Sequence, residues 1–83
     1  EQTSLTFAKY AIKEGDELVE ALERQDNAHS EEEMGDTLFV LLASIAAAES
    51  EGRFTLESVL ARVHEKMIRR HDRIKEEEKA RAK

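Results

Sequence analysis

The sequence contains no cysteine and no proline, and only three of its 83 residues are glycine. Without cysteine the chain cannot form a disulfide or bind a metal through thiolates. The scarcity of proline, glycine and aromatic residues leaves little material for turns and strands. These absences favour an all-α fold. The lack of cysteine also fits a reducing compartment, so we expect a cytoplasmic location.

Long apolar runs and an excess of positive charge are also missing. The longest apolar run spans residues 38–43, far fewer than the roughly 20 residues of a membrane-spanning helix. The net charge of −6 argues against a nucleic-acid polymer as partner, because duplex binding requires a basic face. A chain of this length buries only about 60–65% of its unfolded surface. We therefore expect a homo-oligomer, either a dimer or a tetramer, that completes the core.

Hydrophobic periodicity predicts three helices. The first should run from about Ser4 to Arg24, and the second from Asn27 or Ser30 to Glu51. Between Leu38 and Ala48 the second helix is apolar nearly all round, which predicts burial against several neighbours. The apolar stripe of the first helix is Leu5, Ala8, Ile12, Gly15, Val19 and Leu22.

Gly52 is placed to end the second helix, and Thr55 to cap the start of the third. The third helix then repeats apolar residues at steps of four and three. The predicted architecture is a helical hairpin plus a third helix, with copies sharing a core of the four-helix-bundle type. One domain is expected over residues 1–74, followed by a charged helical tail over residues 75–83.

Two pairs of acidic residues spaced three apart point toward protein rather than water. Glu14 lies inside the apolar arc of the first helix and Glu17 borders it. Glu33 and Asp36 share the direction of apolar residues further along the second helix. In an antiparallel hairpin the two pairs would converge near the connecting loop, and such a cluster must take up protons or bind a cation such as Mg²⁺ or Mn²⁺. A structural alternative stays open: Ser30 and Glu33 match a capping box, in which Glu33 only caps the helix.

Arg70 occupies a seam position of the third helix where an apolar residue is expected, and Lys66 lies one turn before it on the same side. A long cationic side chain on the apolar packing face of a helix is unfavourable unless it reaches an anionic partner. A triphosphate would be one, and carboxylates of a neighbouring subunit another. Arg69 should point the other way into solvent. The three histidines, His29, His64 and His71, show no metal-ligand spacing. His64 and His71 share one face of the third helix, and ordinary packing is expected for those two.

Several segments resemble the MazG nucleotide pyrophosphohydrolases of the all-α pyrophosphatase superfamily. The family's E-x-x-E and E-x-x-D motifs match Glu14-Gly15-Asp16-Glu17 and Glu33-Met34-Gly35-Asp36. The stretch EEMGDTLFVLLA is similar to the family's E-L-G-D-L-L block, and EGRFTLESVLARVHEKMIRRH to its EGRFTLEDV and EKMIRRHPH segments. The likeness covers about Glu1 to His71. The family's Trp-Asp entry motif is absent, and DRIKEEEK replaces its PHVF segment.

The resemblance implies hydrolysis of nucleoside triphosphates to monophosphates and pyrophosphate, with Mg²⁺ as cofactor. Its implied metal ligands are Glu14, Glu17, Glu33 and Asp36, and Lys66 and Arg70 contact phosphates. Glu17 is our choice of general base, and the base of the nucleotide is expected against Phe7, Tyr10 or Phe39. Removal of non-canonical or excess nucleotides is the implied role. Two alternatives remain, a non-catalytic helical interaction module and a phosphoribosyl-ATP pyrophosphohydrolase; Met34-Gly35 between the second pair of acids favours the MazG family over the latter.

Overall fold

The computed structural model describes residues 2–82, which form three helices and no strand. The helices are α1 (Ser4–Glu23), α2 (Asn27–Ser50) and α3 (Leu56–Ala82). Glu1 and Lys83, the outermost residues of the predicted domain and tail, lie outside this range. The all-α prediction is confirmed, and α1 and α2 each end one residue before the predicted end.

Both connections begin with the same hydrogen-bonded turn. After α2, the Gly52 NH donates to the Glu49 carbonyl and the Arg53 NH to the Ala48 carbonyl, with Gly52 at φ 74°. This is a Schellman motif, whose left-handed position favours glycine. After α1 the same bonds run from Gln25 to Leu22 and from Asp26 to Ala21, but here the left-handed position is Gln25, at φ 59°.

The start of α2 removes the capping-box alternative for Glu33. The N-cap is Asp26, whose Oδ1 accepts the His29 NH at 3.1 Å. Ser30 lies one turn inside the helix, and its hydroxyl donates to the Asp26 carbonyl oxygen at 2.7 Å. Because the helix begins before Ser30, Glu33 has no free N-terminal NH to cap. Its carboxylate is therefore available for another role.

The helix α3 begins as predicted behind Thr55. The Thr55 hydroxyl accepts the Ser58 NH at 3.1 Å, and the Ser58 hydroxyl accepts the Thr55 NH at 3.1 Å. This reciprocal pair is a capping box in which serine takes the usual place of glutamate. The charged tail predicted over residues 75–83 continues α3 without a break up to Ala82.

The hairpin of α1 and α2 does not pack through the apolar stripe predicted for α1. The inward residues of α1 include Ser4, Ala11, Leu18 and Ala21, all buried or half-buried. The large members of the predicted stripe are instead exposed: Leu5 at 61%, Ile12 at 69%, Val19 at 53% and Leu22 at 53%. Small side chains suit the close approach of two helices. The helix α1 thus has a second apolar face that α2 does not cover.

The apolar stretch of α2 is likewise not buried within one chain. Phe39 is 69% exposed and Leu38 is 56% exposed, because α1 covers only one side of the helix. The predicted burial of α2 against several neighbours is not reached within a single chain, and for an oligomer it stays a prediction.

The third helix stands apart from the hairpin. No Cα atom of α3 lies within 8 Å of one in α1, and its contact with α2 includes a 2.7 Å hydrogen bond from the Leu56 NH to Glu49 Oε2. The radius of gyration is 17.0 Å, against about 12 Å for a compact domain of this length. The molecule is only 15 Å thick, a single layer of helices. Across residues 2–82, none of the helices has the length and apolar character needed to cross a membrane.

Candidate metal centre

Three carboxylates meet where the hairpin closes. Glu14 and Glu17 stand one turn apart on α1, and Glu33 faces them from α2. Each residue offers an oxygen, and these oxygens all lie within 4.8 Å of one another. Glu33 is buried, with 7% of its surface exposed, and the other two are half-buried. The antiparallel hairpin thus brings Glu33 to Glu14 and Glu17, from which it is separated by 19 and 16 positions in the sequence.

The electrostatics of this cluster are those of crowded anions. Partial burial raises the pKa of the Glu14 carboxyl, and the neighbouring Glu17 and Glu33 raise it further. The Oε2 atom of Glu33 is buried and has no hydrogen-bond partner among residues 2–82. A buried carboxylate oxygen without a partner is unfavourable, and a cation would supply one. An all-oxygen donor set fits a hard divalent cation such as Mg²⁺ or Mn²⁺.

Asp36, the fourth predicted ligand, joins a different group. Its carboxylate is exposed and lies within 4.8 Å of Glu32 and Glu33 rather than in the group with Glu14 and Glu17. Glu33 belongs to both groups and links them. Sequence analysis did not single out Glu32. It is the middle of three consecutive glutamates, and no spacing distinguished it from its neighbours.

A histidine that shows no metal-ligand spacing in the sequence also lies at the cluster. The Nε2 atom of His29 is 3.3 Å from Glu33 Oε1, one helical turn away. The signal that could have found it is the i, i+4 spacing of His29 and Glu33 on α2, which places the two side chains on the same side of the helix.

The two predicted phosphate-binding cations are not close to the acidic cluster in the same chain. Lys66 and Arg70 lie on α3, which is separated from α1. Together with Arg69 and Arg73 they line a shallow basic depression of about 260 Å³. Arg69 is exposed as expected, with a 3.9 Å ion pair to Glu65, but it lines the same depression as Arg70 instead of pointing away from it.

The residues expected to contact the base differ in exposure. Phe7 is half-buried in the hairpin, Tyr10 is 45% exposed and Phe39 is 69% exposed. Tyr10 and Phe39 are therefore free within one chain to contact a ligand or another copy. Their role in base binding remains a prediction.

A family model for the MazG nucleotide pyrophosphohydrolase domain matches residues 2–75. The chain belongs to the MazG family. The match includes α1, α2 and most of α3, so it contains the acidic cluster and the basic depression alike. The family resemblance inferred from the acidic motifs and from the EGRFTLESV segment is confirmed.

Curated relatives support the assignment to the MazG family. Over 73 residues the chain is 36% identical to the nucleoside triphosphate pyrophosphohydrolase/pyrophosphatase MazG of Thermotoga maritima, covering 88% of this chain and 29% of that protein. Over 74 residues it is 35% identical to the nucleoside triphosphate pyrophosphohydrolase of Escherichia coli K12, covering 89% and 28%. It is 40% identical over 73 residues to the uncharacterized protein YabN of Bacillus subtilis, covering 88% and 15%.

This MazG chain spans less than a third of the length of each of these relatives. No solved structure gave a significant match.

Proposed function

We propose that this MazG domain is a Mg²⁺-dependent nucleotide pyrophosphohydrolase that converts (d)NTP and water into (d)NMP and pyrophosphate. The observation that carries the proposal is the convergence of Glu14, Glu17 and Glu33 around a buried carboxylate oxygen that has no partner. Two relatives of about 35% identity are named as nucleoside triphosphate pyrophosphohydrolases, which supports the reaction class.

Glu14, Glu17 and Glu33 would hold the cation, and Asp36 would add a carboxylate on the outer side of Glu33. A divalent cation, Mg²⁺ or Mn²⁺ in its place, neutralises phosphate charge and makes a water easier to ionise. The exposed position of Asp36 leaves the outer side of the cluster open to a charged substrate. The removal of non-canonical or excess nucleotides is the role we assign to the domain.

Proton transfer, pyrophosphate binding and base binding would be carried out by side chains of the protein. Glu17 is half-buried at the edge of the cluster, and we assign it as the general base that accepts a proton from the attacking water. Arg70 would bind the leaving pyrophosphate through two hydrogen bonds from its planar guanidinium. Lys66 would stabilise the negative charge of the pyrophosphate as a point charge beside Arg70. Phe7, Tyr10 or Phe39 would contact the base.

In this proposal a second copy brings the acidic and basic parts of the site together. Within one chain α3 is separated from α1, and the large apolar residues of α1 and α2 that face away from the hairpin are exposed. Covering these residues with another copy would bury them and would let α3 of one subunit approach the acidic cluster of the other. We therefore include a homo-oligomer with a helix-bundle core in the proposal.

The proposal is tested by product analysis. The protein is incubated with each (d)NTP and with phosphoribosyl-ATP in the presence of Mg²⁺, and the nucleotide products and pyrophosphate are separated and measured. We expect a nucleoside monophosphate and pyrophosphate in equal amounts, and loss of turnover in Glu33→Gln and Asp36→Asn with the oligomer intact by size-exclusion chromatography. Glu20→Gln, an exposed acid on α1 outside both ligand groups, is the matched control.

Two results would contradict the proposal. Full turnover in Glu33→Gln would show that Glu33 is not part of the active site. A wild-type protein that forms oligomers but neither hydrolyses a nucleotide nor gains thermal stability from Mg²⁺ would instead be a helical interaction module. Turnover of phosphoribosyl-ATP alone would keep the chemistry and change the substrate class.

A further inference from the structure

The side chain of His29 is held in place beside the buried carboxylate of the cluster. The residue lies in the first turn of α2, where its backbone NH donates to the N-cap Asp26. Its imidazole is 45% exposed, whereas the Glu33 side chain that it contacts is only 9% exposed. His29 therefore lies at the boundary between solvent and the interior of the cluster.

The two oxygens of Glu33 have different surroundings. Oε1 is 3.3 Å from the His29 Nε2, and Oε2 is buried without a hydrogen-bond partner. The contact at Oε1 is attractive only when Nε2 carries a proton, a condition that one neutral tautomer and the imidazolium both meet. A carboxylate engaged through one oxygen rotates less freely about its terminal bond. The other oxygen, Oε2, is then kept on the buried side of the Glu33 carboxylate.

We propose that His29 is a positioning residue for the metal centre, which fixes the Glu33 carboxylate so that Oε2 is presented to a divalent cation. The inference rests on the proposed function, because it requires that the cluster binds a cation. Partners that hold a ligating carboxylate in place commonly contribute ten- to a hundredfold to metal affinity.

The surrounding geometry favours positioning over direct ligation by His29. Among residues 2–82, the two groups of candidate ligands contain only carboxylates, and His29 belongs to neither. Its ring contacts the oxygen of Glu33 that is opposite the unpartnered one. His29 thus supports a ligand instead of extending the donor set.

The test is calorimetric titration of the metal-free 83-residue chain at pH 8 with MgCl₂, and with ZnCl₂ in a separate series. We expect His29→Ala to raise the Kd for Mg²⁺ about tenfold or more. His29→Gln, whose side-chain amide can donate to Oε1, should restore most of the affinity. Glu31→Ala changes an exposed residue in the same part of α2, outside both ligand groups, and should leave the Kd within about twofold of wild type.

The outcomes separate this inference from the proposed function. An unchanged Kd in His29→Ala overturns the inference and leaves an ordinary helix ion pair, with the metal site intact. Failure of His29→Gln to restore the affinity lost in His29→Ala also overturns it, as does a loss confined to nitrogen-preferring ions such as Zn²⁺, which would make His29 a direct ligand. A wild-type protein that binds no Mg²⁺ overturns both the inference and the proposed function.

Discussion

The carboxylate of Glu51 binds the first turn of α1 at the open end of the hairpin, where α1 begins and α2 ends. The Ser4 NH donates to Glu51 Oε2 at 2.8 Å, and the Ser4 hydroxyl donates to Oε1 at 2.6 Å. Arg53 adds a 2.7 Å contact to the same Oε1, and the Ser44 hydroxyl donates to the Ser4 carbonyl oxygen. A carboxylate at a helix N-terminus satisfies free NH groups and complements the helix dipole. This contact ties α1 to the end of α2 farthest from the acidic cluster.

The contact between Ser4 and Glu51 predicts a pH dependence of stability. The hydrogen bonds from Ser4, together with Arg53, hold the pKa of the Glu51 carboxyl below its usual value of 4.5. A lowered folded-state pKa means that the stabilisation is present above pH 4.5 and is lost as pH falls through the folded-state pKa. We expect Glu51→Gln to lower the Tm at pH 7, and the difference from wild type to shrink as pH falls below 4.5. Glu20→Gln measured by the same thermal melts should show no such convergence.

The two turns predict opposite effects of exchanging their left-handed residues. Gln25→Gly should stabilise the fold by roughly 0.5–1 kcal/mol, because glycine avoids the left-handed penalty that Gln25 carries at φ 59°. Gly52→Gln should destabilise it by about 1 kcal/mol, since it creates that penalty at φ 74°. Chemical unfolding of both variants against wild type measures the pair. If both substitutions changed the free energy of unfolding equally and in the same direction, Gln25 and Gly52 would not be the left-handed positions of their turns.

The helices could be predicted from the sequence because their ends have local causes. Gly52 and Thr55 act through hydrogen bonds to residues only a few positions away. For the start of α2 the sequence left Asn27 and Ser30 both open, and the hydrogen bond from the His29 NH to Asp26 decides for Asn27. The packing face of α1 could not be predicted. The helix has two apolar faces, and the sequence pattern favours the one with more large side chains, whereas the hairpin covers the one that includes Ala11, Leu18 and Ala21.

The site shows the same division between local and tertiary information. The helical direction of Glu14 and Glu33 was sufficient to predict that they face each other. Asp36 lies outside the group of Glu14, Glu17 and Glu33 and groups with Glu32 instead. This division depends on how the side chains are arranged around Glu33, which helical periodicity does not describe. The contact of His29 was missed because a single imidazole with no second imidazole nearby carries no metal-ligand spacing.

Glu33 should cost stability in the absence of metal. Its buried Oε2 has no hydrogen-bond partner, and Glu14 and Glu17 add like charge. Glu33→Gln keeps the shape and supplies an NH₂ donor toward Glu14, so we expect the metal-free variant to be more stable by roughly 1 kcal/mol. The wild type should gain about 2.7 kcal/mol at a Mg²⁺ concentration of a hundred times Kd, and the variant should gain almost none. Thermal melts with EDTA and with MgCl₂ test both expectations, and a variant that Mg²⁺ stabilises as strongly as wild type would contradict them.

The separation of the basic depression from the acidic cluster predicts that subunits complement one another. If Lys66 and Arg70 serve the acidic cluster of the partner, Glu33→Gln and Arg70→Ala should each be nearly inactive, and mixed dimers should contain one intact site. Half of the dimers in an equal mixture are mixed and each has one working site of two, so turnover should recover to roughly a quarter of the wild-type value.

The control for complementation uses two defects in one cluster. Glu14→Gln mixed with Glu33→Gln should recover no activity, because both residues belong to the acidic cluster of a single chain and every subunit in the mixture carries a damaged one. Subunits are exchanged by unfolding and refolding the variants together, and pyrophosphate release is measured before and after. Recovery in this control would show that one acidic cluster draws residues from two chains. No recovery with Arg70→Ala would show that Arg70 does not act across the subunit interface. In that case α3 would have to fold back on its own hairpin, and the exposed apolar face of α1 would be left without the partner that we assign to it.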